Sequence, residues 1–238
     1  MVATAPENLR RIQAKVLASI SSARAVRNLT QVANRVCIHA VDAIHSSFHT
    51  DTKNFATRFM TDFKADIESK AKSSTVRFSV VDFSTRAKIA STLSTFLPQT
   101  INDTVGIVYD GGYTNTQQAI AQCDSTLDSA IVTPGEDPPL RYILLFTDGT
   151  PTTFGPTATG PNCGSSSCFT AATAAANDAK SGGIQIITIA VRDSSTDLGF
   201  LFTLNSTNLG FVTESFQEAE LVTDAILGEI DIACPPTS

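Results

Sequence analysis

Residues 142–149 read Tyr142-Ile143-Leu144-Leu145-Phe146-Thr147-Asp148-Gly149, an apolar run that ends on an aspartate and a glycine. This length and content predict a central buried β-strand over residues 141–147. Upstream, residues 111–116 read Gly111-Gly112-Tyr113-Thr114-Asn115-Thr116, a glycine turn that leads into a helix. The two segments are expected to bring a hydroxyl and a carboxylate to one edge of a sheet, where oxygen ligands bind a hard divalent cation.

Outward from these segments, strands alternate with helices. The hydrophobic periodicity predicts strands at 36–41, 76–83, 88–93, 141–147, 184–191 and 210–213, and helices at 53–71, 98–107, 117–127, 168–180, 196–204 and 216–230. Asp51 or Thr52 is available to cap the first helix. The pattern predicts a Rossmann-like, doubly wound α/β fold. Its central sheet is mostly parallel with helices on both faces, and a hairpin adds one antiparallel edge strand.

Composition sets the class of protein. With 238 residues, of which 42% are hydrophobic, the chain can bury one sizeable core. A formal net charge of −6 argues against nucleic acid as a partner, because nucleic-acid-binding surfaces are usually basic. No apolar run approaches the length of a membrane span. This composition therefore predicts one large domain. The regular pattern begins at Arg35, and residues 233–238 are predicted to be a C-terminal tail.

Five cysteines are more than a cytosolic domain needs. Cys163 and Cys168 lie in one polar, glycine-bearing loop and are predicted to form a local disulfide, which indicates an oxidising compartment. Cys37, in an apolar strand, is expected to be a buried free thiol. For Cys123 and Cys234 two alternatives stay open, because they could pair with each other or remain reduced.

The N-terminal residues 1–34 form a predicted extension of two possible kinds. Its excess of arginine resembles a transit peptide. An amphipathic helix packed on the domain is equally consistent with its apolar residues, which follow helical spacing at Leu9, Ile12, Val16 and Ile20.

Three Asn-x-Ser/Thr sequons, at Asn28, Asn102 and Asn205, fit a secreted glycoprotein. We therefore expect an extracellular or cell-surface location.

Oxygen-bearing residues follow the predicted strands. Asp42 and Asp148 end apolar strands, and Thr114 follows the glycine turn. If the two strands are neighbours, the carboxylates and the hydroxyl converge at the point where ligands bind in open α/β sheets. Magnesium accepts such oxygens and retains some water, which leaves a position for a partner's carboxylate. The plainer interpretations are that Asp148-Gly149 is only a turn and that Thr114 only caps its helix.

At these residues the chain resembles the von Willebrand factor type A domain, the adhesion module also called the I domain in integrins. The resemblance covers residues 35–232 and lies in four blocks: Val76-Arg77-Phe78-Ser79-Val80-Val81-Asp82-Phe83-Ser84, Gly111-Gly112-Tyr113-Thr114-Asn115-Thr116, Leu144-Leu145-Phe146-Thr147-Asp148-Gly149 and Ile187-Thr188-Ile189-Ala190-Val191. It implies a Rossmann-like fold with a metal ion-dependent adhesion site at the top of the sheet. The ligands of that site come from an Asp-x-Ser-x-Ser segment, a threonine and an aspartate.

Carried over, the resemblance implies a metal site of Asp42, Ser46, Thr114 and Asp148, holding Mg²⁺, or Mn²⁺ or Ca²⁺ in its place. The first serine of the motif falls on Ile44, which has no oxygen to offer. The connection from Asp42 to the next helix also looks longer than is usual in the family. Either the site is degenerate and binds metal weakly, or the loop reshapes and another group substitutes.

Enzymatic alternatives lack their key residues. Residues 146–150 are similar to the signature of haloacid dehalogenase-type phosphatases, but Phe146 stands where those enzymes have their nucleophile. The chain has no P-loop lysine, nucleophile elbow or dinucleotide turn, and its three histidines fit no familiar zinc motif.

The prediction is therefore a non-enzymatic adhesion module that fits within a larger multidomain protein. It binds a protein or extracellular-matrix ligand through a cation completed by an acidic residue of the partner. A metal-independent interaction or structural module is the alternative, and a phosphatase-like hydrolase is the weakest candidate.

Overall fold

The computed structural model describes nine segments of the chain. They are residues 34–40, 46–70, 75–109, 111–128, 139–147, 149–163, 165–191, 197–214 and 222–228, with the backbone alone at 34–40, 46–48, 70 and 165. The predicted tail and nearly all of the predicted N-terminal extension lie outside these residues. Among the described helices, none is both long enough and apolar enough to cross a membrane.

Six strands form one sheet in the order β3-β2-β1-β4-β5-β6. Their bounds are β1 Asn34–Ala40, β2 Val76–Phe83, β3 Ala87–Ser94, β4 Leu140–Thr147, β5 Ile184–Val191 and β6 Gly210–Thr213. All neighbours pair in parallel except β2 and β3, which form the antiparallel edge hairpin. This strand order is that of a doubly wound sheet, so the predicted fold class is confirmed.

Helices cover both faces of this sheet. They are α1 Ser46–Lys70, α2 Leu97–Val105, α3 Thr116–Asp128, α4 Ser165–Ser181 and α5 Leu198–Leu204, and residues 222–228 are also helical. Because successive side chains of a strand point to opposite faces, Tyr142, Leu144 and Phe146 of β4 join the core under α1. Ile143 and Leu145 join the second core, under α3 and α4. The apolar run at 142–146 therefore reflects burial on both faces.

Helix α1 begins at Ser46, earlier than the predicted residue 53. Asp51 and Thr52 consequently lie inside the helix, and the prediction that one of them caps it was wrong. No glycine or proline occurs between Ser46 and Lys53 to stop the helix from extending backwards. The connection between β1 and α1 therefore spans residues 41–45, shorter than the predicted strand end at 41 and helix start at 53 implied.

The α1 core offers a test of the packing. Phe59 is completely buried, with its ring centroid 5.6 Å from that of Phe63 and 6.1 Å from that of Phe55. We expect Phe59→Ala to lower the free energy of unfolding by about 3–5 kcal/mol, because it removes the ring and leaves a cavity. Urea denaturation measures this loss. In Phe96→Ala, where the side chain is 62% exposed, the change should stay within about 0.5 kcal/mol. Similar losses in the two variants would contradict this account of the core.

Candidate functional site

Strands β1 and β4 are neighbours, as the predicted site requires. Ala40, the last residue of β1, is in register with Phe146 of β4, so both strands end at the same edge of the sheet. From this point β1 connects to β2 on one side, whereas β4 connects to β5 on the other. Such a switch point is where open α/β sheets bind ligands. Asp42 and Asp148 follow these strand ends in the chain but lie outside the described residues, and the side chain of Ser46 does too.

Thr147, the last residue of β4, is hydrogen-bonded to Gly149 through its side chain. The Gly149 amide donates to Thr147 Oγ1 at 3.2 Å, and Thr147 Oγ1 is 3.3 Å from the Gly149 carbonyl oxygen. Both residues are buried. The Thr147 side chain therefore fixes Gly149 against the end of β4.

Thr114 lies at the same edge, joined to the loop that follows β4. Two glycines at positive φ, Gly111 at 61° and Gly112 at 118°, turn the chain into this position. The Thr114 amide donates to Thr152 Oγ1 at 3.0 Å, and its carbonyl accepts from the amides of Thr152 at 3.0 Å and Thr153 at 3.2 Å. Its side chain is 1% exposed. The structure thus brings Thr114 to the switch-point edge, as the sequence predicts.

Capping of helix α3 is not the role of Thr114. The helix begins at Thr116, and the side-chain oxygen of Asn115 accepts from the Gln118 amide at 3.1 Å. Asn115 is thus the N-cap, a role that asparagine fills as well as threonine. The interpretation of Thr114 as a cap was wrong, and the sequence pattern had not pointed to Asn115. Its position just before the helix was the signal that could have identified it.

The loop at 149–163 is braced from within. Asn162 holds Phe154 by two hydrogen bonds, accepting from its amide at 3.0 Å and donating to its carbonyl at 2.8 Å. Thr153 Oγ1 donates to the Gly160 carbonyl at 2.8 Å. At its end the disulfide between Cys163 and Cys168 ties the loop to helix α4.

Three cysteines of the described residues, Cys123, Cys163 and Cys168, are disulfide-bonded. The predicted bond between Cys163 and Cys168 is confirmed. Cys123 is also disulfide-bonded, which excludes the alternative that it stays reduced. The side chains of Cys37 and Cys234 lie outside the described residues. Two disulfides agree with the predicted oxidising compartment.

Asp124, a described acid with a raised pKa, lies at the other end of the strands, where β4 begins. Burial, and then the nearby Asp128, raise the pKa of Asp124 above the usual range, whereas Arg141 lowers it. Arg141 stands at the start of β4 and forms an ion pair with Asp128. This cluster therefore belongs to the edge away from Thr114. Across the described segments, no group of three or more His, Cys, Asp or Glu side chains is arranged to hold a metal.

The donor chemistry at the Thr114 edge fits a hard cation. The hydroxyl of Thr114 is a neutral oxygen of the kind that magnesium and calcium accept as a ligand. Its backbone is fixed on both sides by Thr152 and Thr153. Binding sites for magnesium and calcium combine oxygen ligands whose positions are fixed by the protein with carboxylates that balance the charge of the cation.

Comparison with known proteins gives a family match. The family model described as von Willebrand factor type A domain matches residues 42–224, well over half of the chain. No curated protein sequence matches the chain significantly.

Solved structures share the fold at low sequence identity. Proximal thread matrix protein 1 from the mussel byssus is 20% identical with a TM-score of 0.59, covering 87% of this chain and 50% of its own. Another structure of that protein, 19% identical with a TM-score of 0.57 and covering 88% and 50%, is described with a zinc-occupied metal ion-dependent adhesion site motif. The pilus adhesin SpaC from Lactobacillus rhamnosus GG is 18% identical with a TM-score of 0.63, covering 86% and 31%.

The von Willebrand factor domain of the pili tip protein Mfa5 from Porphyromonas gingivalis is 14% identical with a TM-score of 0.63. That match covers 90% of this chain and 99% of the Mfa5 domain. At these identities the likeness concerns the fold. The chain spans half or less of the mussel and Lactobacillus chains.

Proposed function

The chain belongs to the von Willebrand factor type A domain family, and we propose that it is a non-enzymatic adhesion module that binds a protein or matrix partner through a divalent cation. The observation that carries the proposal is the buried Thr114 at the switch-point edge, held by the loop that follows β4. Open α/β sheets bind their ligands at this edge, beyond the carboxyl ends of the strands.

The proposed ligands are Asp42, Ser46, Thr114 and Asp148. The carboxylates of Asp42 and Asp148 balance the charge of the cation, directly or through water, and the two hydroxyls supply neutral oxygens. Since α1 begins at Ser46, this residue stands at the first helical position after the short β1–α1 connection. Magnesium is the proposed ion, with manganese or calcium as substitutes.

A bound cation supplies the positive charge that attracts an acidic residue of the partner. The neighbouring loop at 149–163 contains no Asp, Glu, Lys, Arg or His, so it offers no competing charge. Rigid scaffolds commonly carry recognition on loops, and this loop is braced by Asn162 and by the disulfide at Cys163. We therefore assign attraction to the metal and choice of partner to the loop.

An extracellular or cell-surface location is part of the proposal. The two disulfides support it, because such bonds persist in oxidising compartments. The similar structures include a byssus matrix protein and a pilus adhesin. Asn102 is exposed on α2 and accessible to glycosylation, which stays a prediction together with modification at Asn28 and Asn205.

A metal-independent interaction module is the second candidate, favoured by Ile44 in the place of a ligand serine. A hydrolase has less support. Phe146, at the position of the phosphatase nucleophile, is 1% exposed and stacks on Phe55 with ring centroids 4.7 Å apart. This position serves the core and carries no nucleophilic atom.

Calorimetric titration of the metal-free chain with magnesium tests the proposal. We expect saturable binding at one site, and a rise in thermal stability that grows with the ion's concentration, about 2.7 kcal/mol at 100 times Kd. Excess chelator should reverse both effects. The absence of magnesium-, manganese- or calcium-dependent heat would remove the metal-dependent function and leave the metal-independent module.

A further inference from the structure

The side chain of Asn115 links three loops at the edge of the sheet that carries Thr114. It is completely buried. Its amide nitrogen Nδ2 donates to the carbonyl of Thr85, in the β2–β3 turn, at 3.0 Å. The same nitrogen donates at 3.0 Å to the carbonyl of Gly155, in the loop that follows β4. Its backbone amide donates to the Ser84 carbonyl at 3.0 Å.

This network fixes the orientation of the Asn115 side chain. Nδ2 faces the carbonyl oxygens of Thr85 and Gly155 at 3.0 Å and, at the longer distance of 3.3 Å, Gln118 Oε1. Oδ1 faces the Gln118 amide. Exchanging the two atoms would place an acceptor against both carbonyls and a donor against an N–H, so the orientation follows from the chemistry of the partners. An asparagine amide has two donor hydrogens, and each has a good acceptor in a different loop.

The Gly155 peptide is held on both of its polar groups. Its carbonyl accepts from Asn115, and its amide donates to Gln117 Oε1 at 3.1 Å. Both partners lie at the start of α3, directly after Thr114. The loop that follows β4 is thus bound to the Thr114 segment at two places, through Thr152 and Thr153 and through Gly155.

We propose that Asn115 is the positioning residue of the metal site, clamping the Thr114 segment between the β2–β3 turn and the loop that follows β4. The inference rests on the proposed function, in which Thr114 is a ligand. A ligand held this way loses little freedom when the cation binds, and residues that orient metal ligands commonly affect metal affinity 10–100-fold, to an order of magnitude. The Asn115 side chain also adds a second connection between the loop at 149–163 and the Thr114 segment, beside the hydrogen bonds of Thr152 and Thr153.

The variant Asn115→Ser separates clamping from capping. Serine is as good an N-cap as asparagine and retains an oxygen for the Gln118 amide, but it lacks the amide group that donates to the carbonyls of both Thr85 and Gly155. The matched control is Ser206→Ala, which removes a hydrogen bond of similar kind at the opposite edge, where Ser206 Oγ accepts from the Ile186 amide at 3.0 Å.

Two measurements test the proposal. In the metal-free chain, hydrogen exchange at the amides of Thr152 and Thr153, which donate to Thr114, should accelerate at least about tenfold in Asn115→Ser and stay unchanged in Ser206→Ala. In the magnesium titration, Asn115→Ser should weaken binding about tenfold or more, while Ser206→Ala binds as the wild type does. Wild-type exchange rates or wild-type affinity in Asn115→Ser would each overturn the proposal.

Failure of the proposed metal-binding function and failure of the positioning role of Asn115 give different results. If the wild type gives no magnesium heat, the proposed function fails, and the exchange rates at Thr152 and Thr153 alone decide whether Asn115 clamps this edge. If the wild type binds magnesium and Asn115→Ser binds it equally well, the metal site stands and the positioning role of Asn115 is wrong.

Discussion

Asp148→Ala is expected to abolish the magnesium heat of the wild-type chain. The substitution removes one of the two carboxylates that would balance the charge of the cation, and the remaining neutral oxygens bind a hard dication weakly. We expect the affinity to fall more than about 100-fold, because replacing residues that merely support metal ligands already costs about 10–100-fold. The measurement is calorimetric titration with magnesium, accompanied by thermal unfolding with and without the ion.

The matched control for this variant is Asp178→Ala. Asp178 lies in α4 near its C-terminal end, at the opposite edge, and its loss changes the net charge by the same amount. Its magnesium titration should match that of the wild type. Equal weakening in both variants would indicate general electrostatics, and wild-type binding in Asp148→Ala would remove Asp148 from the ligand set.

The substitution Ile44→Ser addresses the altered half of the same site. It supplies the oxygen that the family motif has at this position, so magnesium should bind on the order of tenfold more tightly, a gain of about 1.4 kcal/mol. An unchanged affinity would mean that another group already occupies the coordination position, which is the alternative of a reshaped loop.

Gly112→Ala is expected to produce the second large effect, on stability and on the site together. Gly112 has φ of 118°, which alanine rarely adopts, and an added Cβ would press against Thr85 Oγ1 far inside van der Waals contact. That hydroxyl accepts from the Tyr113 amide at 3.1 Å, so its displacement disturbs the segment that leads to Thr114. Strain of about 1–3 kcal/mol and overpacking of about 1–3 kcal/mol should together lower the free energy of unfolding by roughly 3 kcal/mol.

The neighbouring glycine provides the control. Gly111 has φ of 61°, in the left-handed helical region, and an added Cβ would meet Tyr109 Oη at an ordinary 3.6 Å. Gly111→Ala should therefore cost only about 1 kcal/mol, the backbone term alone. Chemical denaturation of both variants measures the difference. If the two glycines proved equally tolerant, the close approach of the Gly112 and Thr85 segments would be wrong.

Much of the fold could be predicted because its signals are local. The strand predicted at 184–191 has the same bounds in the structure, because a run of apolar, mostly β-branched residues follows Gly182-Gly183 directly. The hairpin of β2 and β3 was predictable from the short connection between two apolar runs. The start of α1 was not, because polar residues from Ser46 onward permit either a loop or a helix, and the sequence pattern alone did not choose between them.

In the candidate site, too, some features were predictable from local sequence and others were not. The position of Thr114 at the carboxyl edge of the sheet was predictable from the sequence, because a glycine pair and a following helix mark its turn. The role of Asn115 was not, since its partners Thr85 and Gly155 lie 30 and 40 residues away in the chain. The raised pKa of Asp124 also depends on α3, α4 and β4 meeting at one edge, which no local pattern encodes.

By itself, the sequence determined which segments are strands and helices, the α/β class and the oxygen-bearing residues that follow the strands. These features depend on hydrophobic periodicity and turn residues, which are patterns among residues close together in the chain. The tertiary structure alone decided that β1 and β4 are adjacent and that Thr114 is bound to the loop that follows β4. It also decided that Asn115 links that loop to the β2–β3 turn. These features require pairing between segments distant in the chain, and such pairing is settled only when the whole sheet assembles.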